Sequence, residues 1–173
     1  MLKLLPIFLL FVLSCTPDHA PTGQRLEGLS QEEREQLSQK SMKEALAKEQ
    51  RQIHKFIKRK GGDFIESNTG VHYYIYQNQN KGQKCAAGNR INLMYSLKLL
   101  NGKNIRKKGT IETITLDYDD KASGLHECLS KMKKGEKAIV IIPSHRAHGF
   151  SGNDTDIPSL STLVYDLEIK NIK

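Results

Sequence analysis

The chain has 173 residues, with 27 Lys and Arg against 19 Asp and Glu, giving a formal charge of +8. Apolar residues make up 38%, aromatics 6%, and Trp is absent. This is room for one ordinary domain with an appendage, and it excludes a large multi-domain enzyme or an eight-unit βα barrel. The positive surplus suits anionic surfaces or solubility and says nothing about fold.

The N-terminus reads as a targeting segment. Met1-Leu2-Lys3 precedes Leu4 to Leu13, which is apolar apart from Pro6. A run this short cannot cross a bilayer as a helix but suits a signal-peptide core. It closes with Val12-Leu13-Ser14-Cys15, which resembles a bacterial lipobox. Residues 1–14 are therefore expected to be a lipoprotein signal peptide, with Cys15 lipidated as the new N-terminus. Several acyl chains would give a durable membrane anchor. Residues 15–29, with Pro17, Pro21, Gly23 and Gly28, read as a tether. Cys85 and Cys128 remain: an oxidising compartment would allow a disulfide between them, and two free thiols, one of them in the core, are the alternative.

An amphipathic helix is expected over 30–62. Ser30 and Glu33 have the capping-box spacing. Leu37, Met42, Leu46, Ile53, Phe56 and Ile57 keep roughly a 3.6-residue period, and Gly61-Gly62 stops it. The apolar stripe calls for a partner, either the following domain or a second copy of the helix, so self-association through 30–60 stays open.

From residue 63 the pattern changes to period two. Val71 to Tyr76 reads as a strand. Ile91, Leu93, Tyr95, Leu97 and Leu99 alternate with polar residues and Met94, the signature of a half-buried strand. Asn101-Gly102 marks a turn, and Thr110 to Leu116 is another β-rich run. Leu125, Cys128, Leu129 and Met132 fall on one face of a short helix. Ala138 to Ile142, closed by Pro143, reads as a buried strand, and Leu163 to Ile169 as the last one. Pro143 to Ser161 is a longer loop than packing requires, which makes it a functional candidate. The fold class expected is α+β, an antiparallel sheet wrapped on a short helix over 63–173 and preceded by the amphipathic helix.

Most motif chemistry is missing. There is no phosphate loop, no dinucleotide fingerprint, no CxxC and no HExxH. His145 and His148 share the long loop without an evident third metal ligand. His126 and Cys128 point to different helix faces. Asp117, Asp119 and Asp120 lack the glycine and glutamate of a calcium loop. Lys103, Arg106, Lys107 and Lys108 read first as edge protection. No metal, cofactor or nucleic acid is expected.

One constellation is more specific. Pro143 is followed by Ala147-His148-Gly149, Gly152, Ile157-Pro158 and Leu163-Val164-Tyr165-Asp166. Upstream stand Tyr95 before the Asn101-Gly102 turn and Met132-Lys133-Lys134-Gly135 between helix and strand. In this order and spacing they resemble the FKBP-type peptidyl-prolyl isomerases, over roughly residues 70 to 172. Together with the lipobox and the charged helix, the layout is similar to the gliding-motility-associated FKBP-like lipoproteins.

The resemblance implies an FKBP-like domain that isomerises X–Pro bonds of exported polypeptides in the cell envelope, or a non-catalytic scaffold of the same fold. It implies Tyr95, His148 and Tyr165 as catalytic residues and Ile105, Ala122, Leu125 and Ile157 as substrate-binding residues, with the Ala122 N–H as donor. Several positions depart from the family. Ile105 stands for Phe, Arg106 for Asp, Leu125 for Trp, His148 for the loop Tyr, Asn153 near the loop His, and Lys121 for an aliphatic residue. The resemblance with these losses implies low to moderate activity.

Overall fold

The structure, a computed structural model, describes residues 28–79, 81–153 and 155–173. The expected signal peptide, Cys15 and nearly all of the tether lie outside the described residues. Helix α1 spans Gln31–Lys60. Contacts divide the chain into one unit up to Met42 and a second from Lys43 to Lys173, so the end of α1 belongs with the sheet.

In the first unit the capping box forms. Glu33 N–H donates to Ser30 Oγ (3.2 Å), and Ser30 N–H donates to the Glu33 carboxylate (2.8 Å). Two of the otherwise orphaned N–H groups at the helix start are thereby satisfied.

The second unit is a six-stranded sheet of strands β1 (Ile65–Glu66), β2 (His72–Gln77), β3 (Arg90–Leu99), β4 (Asn104–Thr115), β5 (Lys137–Ile142) and β6 (Leu163–Ile172), with helix α2 (Ser123–Leu129). The order is β1-β2-β5-β6-β3-β4, and every pairing is antiparallel. Strand alternation sorts the side chains into two cores. On one face Leu93, Tyr95, Leu97, Ala138, Val140, Tyr165 and Leu167 meet α2. On the other Ile139, Ile141 and Val164 meet Ile53, Phe56 and Ile57 of α1. β5 is thus buried on both sides, which explains its unbroken apolar run. The apolar stripe of α1 from Ile53 onward covers its own sheet, so this part of the stripe is docked within the chain.

α2 presses Leu125, Cys128 and Leu129 into the first core, with Met132 just beyond its end. It can approach because position 124 is glycine. A Cβ there would stand 2.5 Å from Ile142 Cγ2 and 2.9 Å from Val71 Cγ2. Cys85 and Cys128 are both free and buried. Burial pushes the Cys85 thiol up to about 11 and the Cys128 thiol up to about 12, so both pack as small apolar groups.

Two elements differ from the sequence expectation. β1 is too short to show periodicity. β4 begins at Asn104 and not at Thr110, because Leu97 pairs with Arg106 while Tyr95 pairs with Thr110. The intervening Lys107, Lys108 and Gly109 are bulged out, which breaks the alternation that a sequence reading relies on. Lys107 and Lys108 of the basic edge lie in this bulge, while Arg106 pairs with Leu97 and Lys103 precedes the strand.

Candidate active site

The bulged β4, the start of α2 and the loop after β5 surround an open concavity of about 120 Å³. Its lining includes Tyr95 from β3, Tyr165 from β6, Ala122 and Leu125 at the start of α2, and His148 and Ile157 from the loop. Tyr95 and Tyr165 form a tilted pair with ring centroids 5.6 Å apart. Leu93, Leu97, Leu125 and Ile157 supply aliphatic surface. Six of the seven residues singled out from the sequence therefore share one hollow. Ile105, the seventh, packs half-buried against the same core and is not among the residues that line the hollow. Its neighbour Arg106 occupies that wall, with its guanidinium paired to Asp156.

The tyrosines differ in how their hydroxyls are held. Tyr95 donates to Glu112 Oε2 at 2.8 Å, and Lys121 Nζ pairs with Glu112 Oε1. Burial, followed by the Glu112 contact, pushes the Tyr95 phenol well above its ordinary value, so it remains a donor. Burial tends to raise the Glu112 carboxyl, but the Lys121 and Tyr95 hydrogen bonds outweigh it and hold the group below its ordinary value. Glu112 is a functional candidate that the sequence reading did not single out. Its register gives it away: Thr110, Glu112 and Ile114 share the inward face of β4 while Ile111 is 71% exposed. The resemblance puts an acid at position 106, where this chain has Arg, yet Glu112 brings a carboxylate into the same hollow.

The loop that presents Ile157 is organised by Asn153. The Asn153 side-chain oxygen accepts from the N–H groups of Ile157 (2.7 Å) and Asp156 (3.1 Å), and the Asn153 backbone N–H donates to the Ile157 carbonyl (3.1 Å). Gly152, with φ +76, permits this turn, since a Cβ there would collide with the Ile157 carbonyl oxygen. The loop is rooted by Arg146 on Glu127 (3.3 Å). His145 turns away from the hollow and donates to the Thr69 carbonyl at 3.1 Å. His126 lies under the turn before α2, accepting at Nδ1 from the Asp117 N–H and bonding through Nε2 to the Asp119 carbonyl, each at 3.0 Å. The Asp119 carboxylate accepts from the Thr115 N–H at 2.8 Å, so this acidic cluster closes a turn.

Hydrogen bonds from Asn153, then from Arg106, hold the Asp156 carboxyl down to about 2, from an ordinary 3.8. A depressed folded-state value means that this contribution is present above 3.8 and is lost as pH falls through about 2. The amide resonances of Asn153 and Ile157 are expected to titrate with a midpoint near 2. A midpoint at the ordinary 3.8 would contradict the rim pairing.

The antiparallel sheet wrapped on α2, with an aromatic hollow between them, defines the class. Residues 81–170 match the FKBP-type peptidyl-prolyl cis-trans isomerase family, and the chain belongs to it. The FKBP-type peptidyl-prolyl cis-trans isomerase FkpA of Escherichia coli is 34% identical over 131 residues, 75% of this chain and 46% of that protein. FkpA of Buchnera aphidicola is 32% identical over 139 residues, 78% of this chain and 53% of that protein. The chain thus spans about half the length of the curated relatives it matches. The crystal structure of E. coli FkpA superposes with a TM-score of 0.64 at 28% identity, covering 84% of this chain and 74% of that one. A peptidyl-prolyl cis-trans isomerase from Pseudomonas syringae shares the fold, with a TM-score of 0.66 at 24% identity over 76% of this chain and 95% of that one.

Proposed function

We propose that this protein is a peptidyl-prolyl cis-trans isomerase that assists the folding of exported proteins in the cell envelope. The observation that carries this reading is the convergence of Tyr95, Ala122, Leu125, Ile157 and Tyr165 on one open hollow.

The chemistry follows from the bond. X–Pro isomerisation crosses a barrier of about 20 kcal/mol through a twisted amide that has lost resonance. No bond to the protein forms, so the site needs only to bind the twisted form better than the planar one. The tyrosine pair and the aliphatic surface receive the pyrrolidine ring and strip water from the imide. Among the described residues the Ala122 N–H has no acceptor, which leaves it for the substrate carbonyl. His148 at the rim adds a second polar contact. A 10⁴-fold acceleration needs about 5.5 kcal/mol of such differential binding.

Substoichiometric protein is expected to accelerate the proline-limited phase of refolding of a reporter protein. Tyr95→Ala should reduce that acceleration at least about tenfold, or 1.4 kcal/mol, through lost ring contact and the freed Glu112. No acceleration by the unaltered protein would overturn the enzymatic reading. The charged pairs Arg106–Asp156 and Lys121–Glu112 in the wall favour a second reading, a scaffold that holds proline-containing segments without turnover. That reading is supported if the reporter is retained but not accelerated.

The envelope location rests on the N-terminal sequence. Leu4–Leu13 and Ser14-Cys15 support a lipid anchor at Cys15, and Cys15→Ser should release the protein from membranes. The resemblance of layout to gliding-motility-associated FKBP-like lipoproteins supports a further role in gliding motility.

A further inference from the structure

A second group of side chains, on the α1 side of the sheet and apart from the prolyl hollow, has no role in the chemistry above. His54 on α1, Glu66 on β1 and His72 on β2 bring one ligand atom each to within 4.8 Å of one another. The imidazoles meet edge to face, with centroids 5.9 Å apart.

The hydrogen bonds define what these atoms offer. His54 Nδ1 lies 2.8 Å from the Gln50 carbonyl, and His72 Nδ1 lies 3.0 Å from the Gly70 carbonyl. A carbonyl oxygen only accepts, so both rings carry their proton on Nδ1, and in neutral imidazole Nε2 is left as a lone pair. His72 is 3% exposed, and its Nε2 lies 3.5 Å from Glu66 Oε2. The His72 Nε2 lone pair and the Glu66 carboxylate, both acceptors, therefore face each other, with a nitrogen of His54 within 4.8 Å of them, and a cation is the partner that such a set lacks. An Nδ1–H held by a backbone carbonyl is also the outer contact that metal-ligating histidines commonly use to fix their tautomer.

We infer that His54, Glu66 and His72 form a site for a divalent transition ion of the zinc, copper or nickel class. Two imidazoles and one carboxylate match that class and not calcium or magnesium, which prefer oxygen ligands. Tetrahedral zinc with bonds near 2.1 Å sets its ligand atoms about 3.4 Å apart. The His72–Glu66 separation of 3.5 Å already has that value. His54 and Glu66 are exposed side chains, free to close the remaining distance, and solvent would complete the coordination. Because the ligands come from α1, β1 and β2, the ion would clamp the end of the helix to the sheet.

The test uses the purified, chelator-treated protein titrated with Zn²⁺ by calorimetry and with Co²⁺ by visible absorption. One ion per chain is expected, with the absorption of four-coordinate cobalt and a Tm about 5–10 °C higher at hundredfold excess over Kd. His54→Gln and Glu66→Gln, both at exposed positions, should each weaken binding at least about tenfold. His145→Gln should leave it unchanged. Absence of saturable binding up to about 1 mM zinc, or binding that survives both His54→Gln and Glu66→Gln, would overturn the assignment.

Discussion

Replacing Glu49 by alanine is expected to cost about 3 kcal/mol of stability and to loosen the loop that carries His148 and Ile157. Glu49 lies on α1 and is 8% exposed, a depth at which a carboxylate needs partners. It has three. The Ser144 N–H donates at 2.7 Å and Ser144 Oγ at 2.9 Å, and the Thr162 hydroxyl donates to the same carboxylate. Ser144 opens the loop after β5, and Thr162 immediately precedes β6. One carboxylate therefore pins both ends of the loop. Alanine would leave three buried donors unsatisfied, each a cost of about 1–3 kcal/mol before relaxation. Glu49→Gln keeps the shape and should cost about 1 kcal/mol. Urea denaturation measures the first effect, and KM for a prolyl peptide reads the loosened loop. A Glu49→Ala protein with unchanged stability would show that the loop stands without the helix.

Tyr165→Ala is the second large effect, about 3–5 kcal/mol in stability, with loss of prolyl turnover. The ring is 7% exposed, packs in the central core and pairs with Tyr95. Truncation leaves a cavity in the floor of the hollow and removes one of its two aromatic faces. Tyr165→Phe is the informative companion. Among the described residues the Tyr165 hydroxyl makes no hydrogen bond, so its loss should change stability by less than about 1 kcal/mol and leave turnover near that of the unaltered protein. Tyr95→Phe, by contrast, breaks the bond to Glu112. If Tyr165→Phe were the more damaging of these two, the hydroxyls would have roles opposite to those assigned here.

The sequence made the local rules visible. The Ser30–Glu33 cap, the alternation through β3, the helix face Leu125–Leu129 and the stop at Pro143 all depend on neighbours within a few residues, and all appear in the structure. The hollow was legible because its residues sit at spacings that resemble a known family. What escaped was long-range or irregular. Glu49 meets its partners 95 and 113 residues away, and nothing in a helical pattern separates it from the other charged residues of α1. His54, Glu66 and His72 come from three elements with no motif to join them. The β4 bulge erased the period-two signal between Arg106 and Thr110, which concealed the early start of the strand. Glu112 followed the alternation but looked like an ordinary strand charge.

The central claim is that the hollow holds a prolyl residue. Its most direct measurement is the change in amide and side-chain NMR shifts of the protein on addition of a short X–Pro peptide. The account predicts saturable shifts centred on Tyr95, Ala122, Leu125, Ile157 and Tyr165, with cis–trans exchange of the peptide accelerated in the same sample. Shifts confined to other surfaces, with exchange at its unaided rate, would contradict it.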